Sequence, residues 1–315
     1  MEEEKNLNVK KVFVTVAIFM FAFLIILGSA LLTRGAGSHK EKNLAIREVN
    51  QVQSVEVKEQ EEKVENQTVE NITMNKEDET KNNTVEKTTK NQKLPVANPD
   101  AVALCKAAQT SHEKNIYLTF DDGPSPNVTP QILKILKEYH VPATFFVLGS
   151  RAELYPELIK QEYEAGHYIA NHGYSHKYSS IYSSVQAVIN EYNTTEKAVQ
   201  DALGNPEYHT LLFRFPGGSS GGPYNSLKAE AKATLESMGI ASTNWNCLNG
   251  DAEGGTKTKQ QLLDRLYDTA ASWDSLVVLM HDADDKQTTA DALPEIIEHY
   301  QQAGYTFKNY YEIFQ

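Results

Sequence analysis

Two segments of unlike character precede the part of the chain that can build a core. Val12 to Leu32 (VFVTVAIFMFAFLIILGSALL) is uncharged and mostly apolar, and a run of about 20 such residues crosses the hydrocarbon core of a bilayer as one helix. Residues 34–98 are rich in Glu, Lys, Asn, Thr, Val and Gln and nearly devoid of aromatic residues. Such a segment cannot bury enough apolar surface to offset the conformational entropy of ordering it, so it reads as disordered. From about Pro99 the pattern changes again: after a short lead-in, β-branched and aromatic runs alternate with stretches of helical period.

Residues 116–120 form the first strand, continuously apolar or β-branched as a buried parallel strand is. Thr129 and Pro130 start a helix whose apolar face is Ile132, Leu133, Ile135 and Leu136. Further strands are expected at 141–148, 167–170, 211–215, 240–245, 276–280 and 305–307, with helices at 152–165, 184–203, from about 226, 259–271 and 290–303. Gly166, Gly204, Gly239 and Gly304 follow helices, where a left-handed cap conformation favours glycine. About seven strands alternating with helices imply a parallel sheet wrapped by helices. Seven repeats in roughly 210 residues suit a closed or nearly closed βα barrel, with an open doubly wound sheet as the alternative. Either way, chemistry gathers at the C-terminal ends of the strands.

The expected organisation is a cytoplasmic N-terminus (1–11), a transmembrane anchor (12–32), a disordered linker (34–98) and a folded domain (99–315). Lys10 and Lys11 flank the anchor and keep the short N-terminus inside, since orientation follows Lys and Arg; Glu2, Glu3 and Glu4 count little. The folded domain then lies outside the cell membrane. A cleaved signal peptide is the rival reading, with a small-residue site at Gly28-Ser-Ala30. A flexible linker of this length spans on the order of 40 Å and works as a tether. The formal charge of −12 comes without a basic stripe, which argues against nucleic acid as a partner. Cys105 and Cys247 would be free to pair in an oxidising exterior, or to remain buried thiols.

Candidate chemistry sits where the strands end. Strand one delivers Asp121 and Asp122 into a turn closed by Gly123 and Pro124. As a solvated turn this is unremarkable; as adjacent carboxylates at a buried strand end, it requires a cation nearby. After strand three, His172 and His176 stand four residues apart, which on a helical turn puts both imidazoles on one face. Two histidines and an aspartate match a three-ligand zinc site with an open position for water. Asp122 is then the carboxylate ligand and Asp121 is left to act as base. Arg214, after strand four, is either a solvated charge or the partner of a buried carboxylate. Asp251 follows strand five and His281 ends strand six.

These blocks, in this order, resemble the polysaccharide deacetylase family (carbohydrate esterase family four, nodulation-protein-B-like). The resemblance covers roughly Asn115 to Gln315, and Thr119-Phe-Asp-Asp-Gly-Pro124 matches the family's first motif without a change. It implies a distorted (β/α)7-type barrel and a metal-dependent N-deacetylase resembling membrane-anchored peptidoglycan N-acetylglucosamine deacetylases. The implied general base is Asp121, the metal ligands are Asp122, His172 and His176, and the general acid is His281. Arg214 would tune Asp121, Asp251 would tune His281, and Leu279 would line a pocket for the acetyl methyl group. Three positions depart from the family's motifs: Gly173 replaces Ser or Thr, Gly217 replaces a tyrosine, and Ala252 replaces a tryptophan. At Gly217 a backbone N–H survives to stabilise an oxyanion, but a ring contact to substrate is lost.

The expected reaction is hydrolysis of N-acetyl groups on a glycan polymer, with zinc as the expected ion. A membrane tether favours a polymer just outside the membrane, hence peptidoglycan; exopolysaccharide and chitooligosaccharide are the alternatives. A catalytically inactive glycan-binding module, or a hydrolase of O-acetyl esters or cyclic amides, would use the same fold.

Overall fold

The structure, a computed structural model, describes residues 93–315. The expected N-terminus, anchor and nearly all of the linker lie outside the described residues. Among those described, no helix is long and apolar enough to cross a membrane.

Among the described residues eight strands form one sheet: β1 (Asn115–Asp121), β2 (Thr144–Val147), β3 (Tyr168–Asn171), β4 (Leu212–Phe213), β5 (Ala241–Ser242), β6 (Cys247–Leu248), β7 (Leu276–His281) and β8 (Thr306–Lys308). Their order is β5-β4-β3-β2-β1-β7-β6, with β8 paired to the start of β1. Every ladder is parallel. This order is the chain order taken around a ring, as a barrel requires, whereas a doubly wound sheet reverses at a switch point. Among the described residues no ladder joins β5 to β6, so the strands make a parallel half-barrel, consistent with the expected (β/α)7 type.

The helices are α1 (Ala101–Thr110), α2 (Thr129–Tyr139), α3 (Gly149–Leu154), α4 (Pro156–Glu164), α5 (Tyr178–Ile181), α6 (Val185–Leu203), α7 (Asn225–Ser237), α8 (Lys259–Ala270) and α9 (Gln287–Gln302). Three features differ from the sequence reading. The helix expected over 152–165 is two helices, because Pro156 has no N–H to donate and pushes Tyr155 out of the helical region, to φ −130°. The strand expected over 240–245 is only two residues long; the chain then crosses in Thr243–Asn246 to β6. The lead-in contains α1, and the domain extends N-terminal to Pro99: Val96 N donates to Phe314 O at 3.0 Å and Asn98 Nδ2 to Ile313 O at 2.8 Å.

Strand alternation sorts the core into two layers. Ile116, Leu118 and Phe120 of β1 face outward and pack with Ile132, Leu136, Leu262, Leu293 and Ile297 of the surrounding helices. Tyr117 of β1, Phe146, Tyr168 and Val277 face inward, where α1 and the C-terminal Tyr310 and Phe314 fill the barrel. Cys105 of α1 lies in the inner layer and Cys247 of β6 in the outer one, on opposite sides of the strand wall. Both are buried and free, so the pairing weighed above does not form.

Candidate active site

Parallel register places Asp121 beside His281 and Thr119 beside Leu279, with all four side chains on the inward face at the strand ends. Gly123 follows because only a hydrogen fits there: a Cβ would lie 2.1 Å from Asp282 Oδ2.

Arg214 is fully buried and is not a solvated charge. Its guanidinium lies 3.9 Å from the centre of the Phe146 ring. Nη1 donates to Asp121 Oδ1 at 2.8 Å and to Thr119 Oγ1 at 2.7 Å, while Nη2 donates to Asn244 O at 3.3 Å. Burial pushes the Asp121 carboxyl above its ordinary value, against the opposing pull of Arg214 and His281.

Asp122 turns away from its neighbour through a left-handed backbone, φ +74°. Its Oδ1 is buried and accepts no hydrogen bond among the described residues. His172 Nε2 stands 3.6 Å from that oxygen and His176 Nε2 3.4 Å from it. These spacings exceed a hydrogen bond, and they match the roughly 3.4 Å between two ligands that are each about 2.1 Å from a tetrahedral ion. The nearest ligand atoms of all three residues lie within 4.8 Å of one another. His172 Nδ1 lies 2.7 Å from Arg214 O, a carbonyl that can only accept, so the proton is on Nδ1 and Nε2 keeps its lone pair. Burial pushes the His172 imidazole down to about 3, so the ring is neutral. An orphaned buried carboxylate oxygen facing two imidazole nitrogens fits a divalent metal.

The two histidines do not share a helical turn. Gly173 and His176 both take positive φ, +79° and +55°, and the segment between them is an irregular loop. Glu191 of α6 holds it, accepting from Tyr174 N at 2.6 Å, Ser175 N at 2.7 Å and Ser175 Oγ at 2.6 Å. Without a helix, the backbone groups of this loop need that carboxylate.

On the other side of Asp121, Asp251 grips His281. Burial works to raise the Asp251 carboxyl, but the hydrogen bonds and charge of His281 outweigh it and hold the group below its ordinary value. Burial works to lower the His281 imidazole, but the hydrogen bond and charge of Asp251 outweigh it and push the ring up to about 9. At neutral pH His281 is therefore an imidazolium.

The structure thus gathers Asp121, Asp122, His172, His176, Arg214, Asp251, His281 and Leu279 at one rim. Sequence reasoning assigned nothing to Asp282, which is fully buried and pushed by burial up to about 7, or to Thr289, whose hydroxyl donates to Asp251 Oδ2 at 2.7 Å. An acid directly after a buried strand was the available signal for Asp282; Thr289 had none.

Chemistry gathered at the C-terminal rim of a parallel barrel marks an enzyme architecture. Comparison with known proteins makes the class specific. The family described as polysaccharide deacetylase matches residues 108–240. The peptidoglycan-N-acetylglucosamine deacetylase PgdA of Listeria monocytogenes is 34% identical over 219 residues, 69% of this chain and 42% of that protein. The peptidoglycan-N-acetylglucosamine deacetylase of Bacillus cereus is 32% identical over 204 residues, 62% of this chain and 86% of that protein. A solved CE4 esterase of Streptococcus mutans aligns with a TM-score of 0.61 at 33% identity, covering 66% of this chain and 90% of that one. The chain belongs to the polysaccharide deacetylase family. It spans less than half the length of the Listeria relative.

Proposed function

We propose that the domain hydrolyses the acetamido groups of N-acetylglucosamine residues in peptidoglycan, releasing acetate and leaving a free amine. The observation that carries this reading is the register of Asp121 and His281 on adjacent strands, beside the Asp122, His172 and His176 cluster. Each has its own partner, Arg214 for the one and Asp251 for the other. Two titrating groups with separate partners, set side by side, are what amide hydrolysis needs: an amide is a poor electrophile and its amine a poor leaving group.

Asp122, His172 and His176 would hold a divalent metal, zinc by the nature of the ligands. When bound, that ion polarises the acetamide carbonyl and acidifies water. Asp121 takes the proton of the attacking water at Oδ2, its Oδ1 being engaged by Arg214. Its raised affinity for a proton, set by burial, favours proton uptake from the water. His281, with Nδ1 engaged by Asp251, gives up the proton on Nε2 to the departing nitrogen. Leu279, on the same inward face, offers an apolar surface to the acetyl methyl group.

The relatives and the sequence reading of the N-terminal segments support this choice of substrate. Two relatives bear peptidoglycan N-acetylglucosamine in their names. Residues 12–32, read as an anchor followed by a tether, would hold the domain on the outer face of the membrane, within reach of the wall. Purified wall glycan should gain free amines on treatment with residues 93–315, and chelation should abolish the gain. If wall glycan is untouched while a linear poly-N-acetylglucosamine loses acetate, the substrate is an exported polysaccharide.

A further inference from the structure

Tyr178 has no place in the machinery described so far, yet it is built into the edge of the site. The turn at Pro216, Gly217 and Gly218, just past β4, is held by three side chains. Tyr182 Oη donates to Pro216 O at 2.7 Å, and Lys228 Nζ donates to Gly218 O at 2.8 Å. Tyr178 covers the middle residue: a Cβ on Gly217 would lie 2.3 Å from Tyr178 Oη and 3.1 Å from its Cζ. Gly217 thus gives up the space of a side chain to a ring that arrives from another element.

That ring is fixed but not covered. Its centroid is 5.6 Å from the His176 ring, tilted at 45°, and 5.6 Å from the Tyr182 ring, which it meets edge-on at 65°. Tyr182 is 2% exposed, whereas Tyr178 keeps 43% of its surface open to solvent. Of the exposed large apolar side chains among the described residues, Tyr178 alone is in ring contact with a candidate metal ligand. Nearby tyrosines have committed their hydroxyls, Tyr174 to Glu153 and Tyr182 to Pro216; no such bond holds Tyr178 among the described residues.

We propose that Tyr178 is a substrate-contacting residue, its exposed ring a stacking platform for a pyranose and its hydroxyl a hydrogen bond to a sugar oxygen. A pyranose presents a face of C–H groups to the electron-rich face of an aromatic ring, and a ring already fixed by its neighbours loses little freedom on binding. The proposal rests on the glycan reading above and adds to it the residue that seats the sugar bearing the reacting acetamide.

The test separates the two. In an Asp121→Asn background, N-acetyl chitotetraose binding should weaken about tenfold with Tyr178→Ala and only about twofold with Tyr178→Phe. Gly217→Ala, which drives a Cβ into the ring, should weaken binding as Tyr178→Ala does. In the active protein the Tyr178→Ala loss should appear in KM rather than kcat, with metal content and thermal midpoint unchanged. Unaltered binding in Tyr178→Ala, or a loss confined to kcat, would overturn the proposal. If the unmodified domain deacetylates no glycan, the functional reading fails, and the binding measurements still decide the role of Tyr178.

Discussion

Asp251 holds His281 at two points. Its Oδ1 lies 2.7 Å from His281 Nδ1, and its Oδ2 accepts from the His281 backbone N–H at 2.9 Å. One carboxylate therefore fixes both the tautomer of the ring and the position of the strand end that carries it.

This pairing sets the alkaline limit of turnover. With the imidazole pushed up to about 9, activity should hold to about that pH and fall beyond it, as the acid loses its proton. Asp251→Asn should move the fall toward the ordinary histidine range and cut kcat/KM at pH 8 by roughly 10–100-fold. A pH profile of both proteins checks it; superimposable alkaline limbs would refute the assignment.

The same shift is a stability term. The folded ring binds its proton more tightly than a free imidazole near 6.5, so the stabilisation is fully present below that pH. It is lost as pH rises from about 6.5 through about 9. Thermal midpoints of the intact domain should decline across that window by more than those of Asp251→Asn.

The adjacent carboxylates should separate on substitution. Asp121→Asn is expected to abolish turnover with metal content near stoichiometric, whereas Asp122→Asn should strip the site of metal as well. Metal analysis after gel filtration distinguishes them. An emptied site in Asp121→Asn would reverse the two roles.

Gly123→Ala should be severe although it removes nothing. The added methyl would stand 2.1 Å from Asp282 Oδ2, a buried oxygen that accepts from Thr129 Oγ1, while Ser125 Oγ donates to the Asp282 backbone carbonyl and holds that residue's main chain in place. We expect a loss of about 2 kcal/mol or more in a denaturant titration, with activity lost in parallel.

Denatured, unreduced protein should titrate with two thiols, from Cys105 and Cys247, because the strand wall lies between them. A mass two hydrogens short would show a disulfide.

Asp121, Asp122, His172, Arg214 and His281 were legible in the sequence because each stands at or directly after the end of a buried strand, which Asp251 and His176, several residues further on, do not. Local chemistry also announced the long helix α6, capped by Ser184 and stopped by Gly204. The loop carrying His172 and His176 was misread as helical, since its conformation depends on Glu191, many residues away. The residues from Ile240 to Trp245 read as one strand because apolar character does not record where hydrogen-bond partners run out. α1 carries few large apolar residues and no side-chain cap, so only its alanine-rich helix propensity marked it. Tyr178 was invisible because its significance lies in a glycine on another element.

Between β5 and β6 the wall of the half-barrel is fastened by side chains in place of a strand ladder. Asn246 accepts from Val277 N at 2.8 Å and donates to Gln109 O and Ser275 O, each at 2.8 Å, while Gln109 Nε2 donates to Thr243 Oγ1 at 3.0 Å. The same short crossing supplies Asn244 O to Arg214. The structure is in effect a hoop whose clasp touches the arginine beside Asp121. Loosening the clasp, at Gln109 or Asn246, would reach the charge balance of the base without altering any residue of the rim.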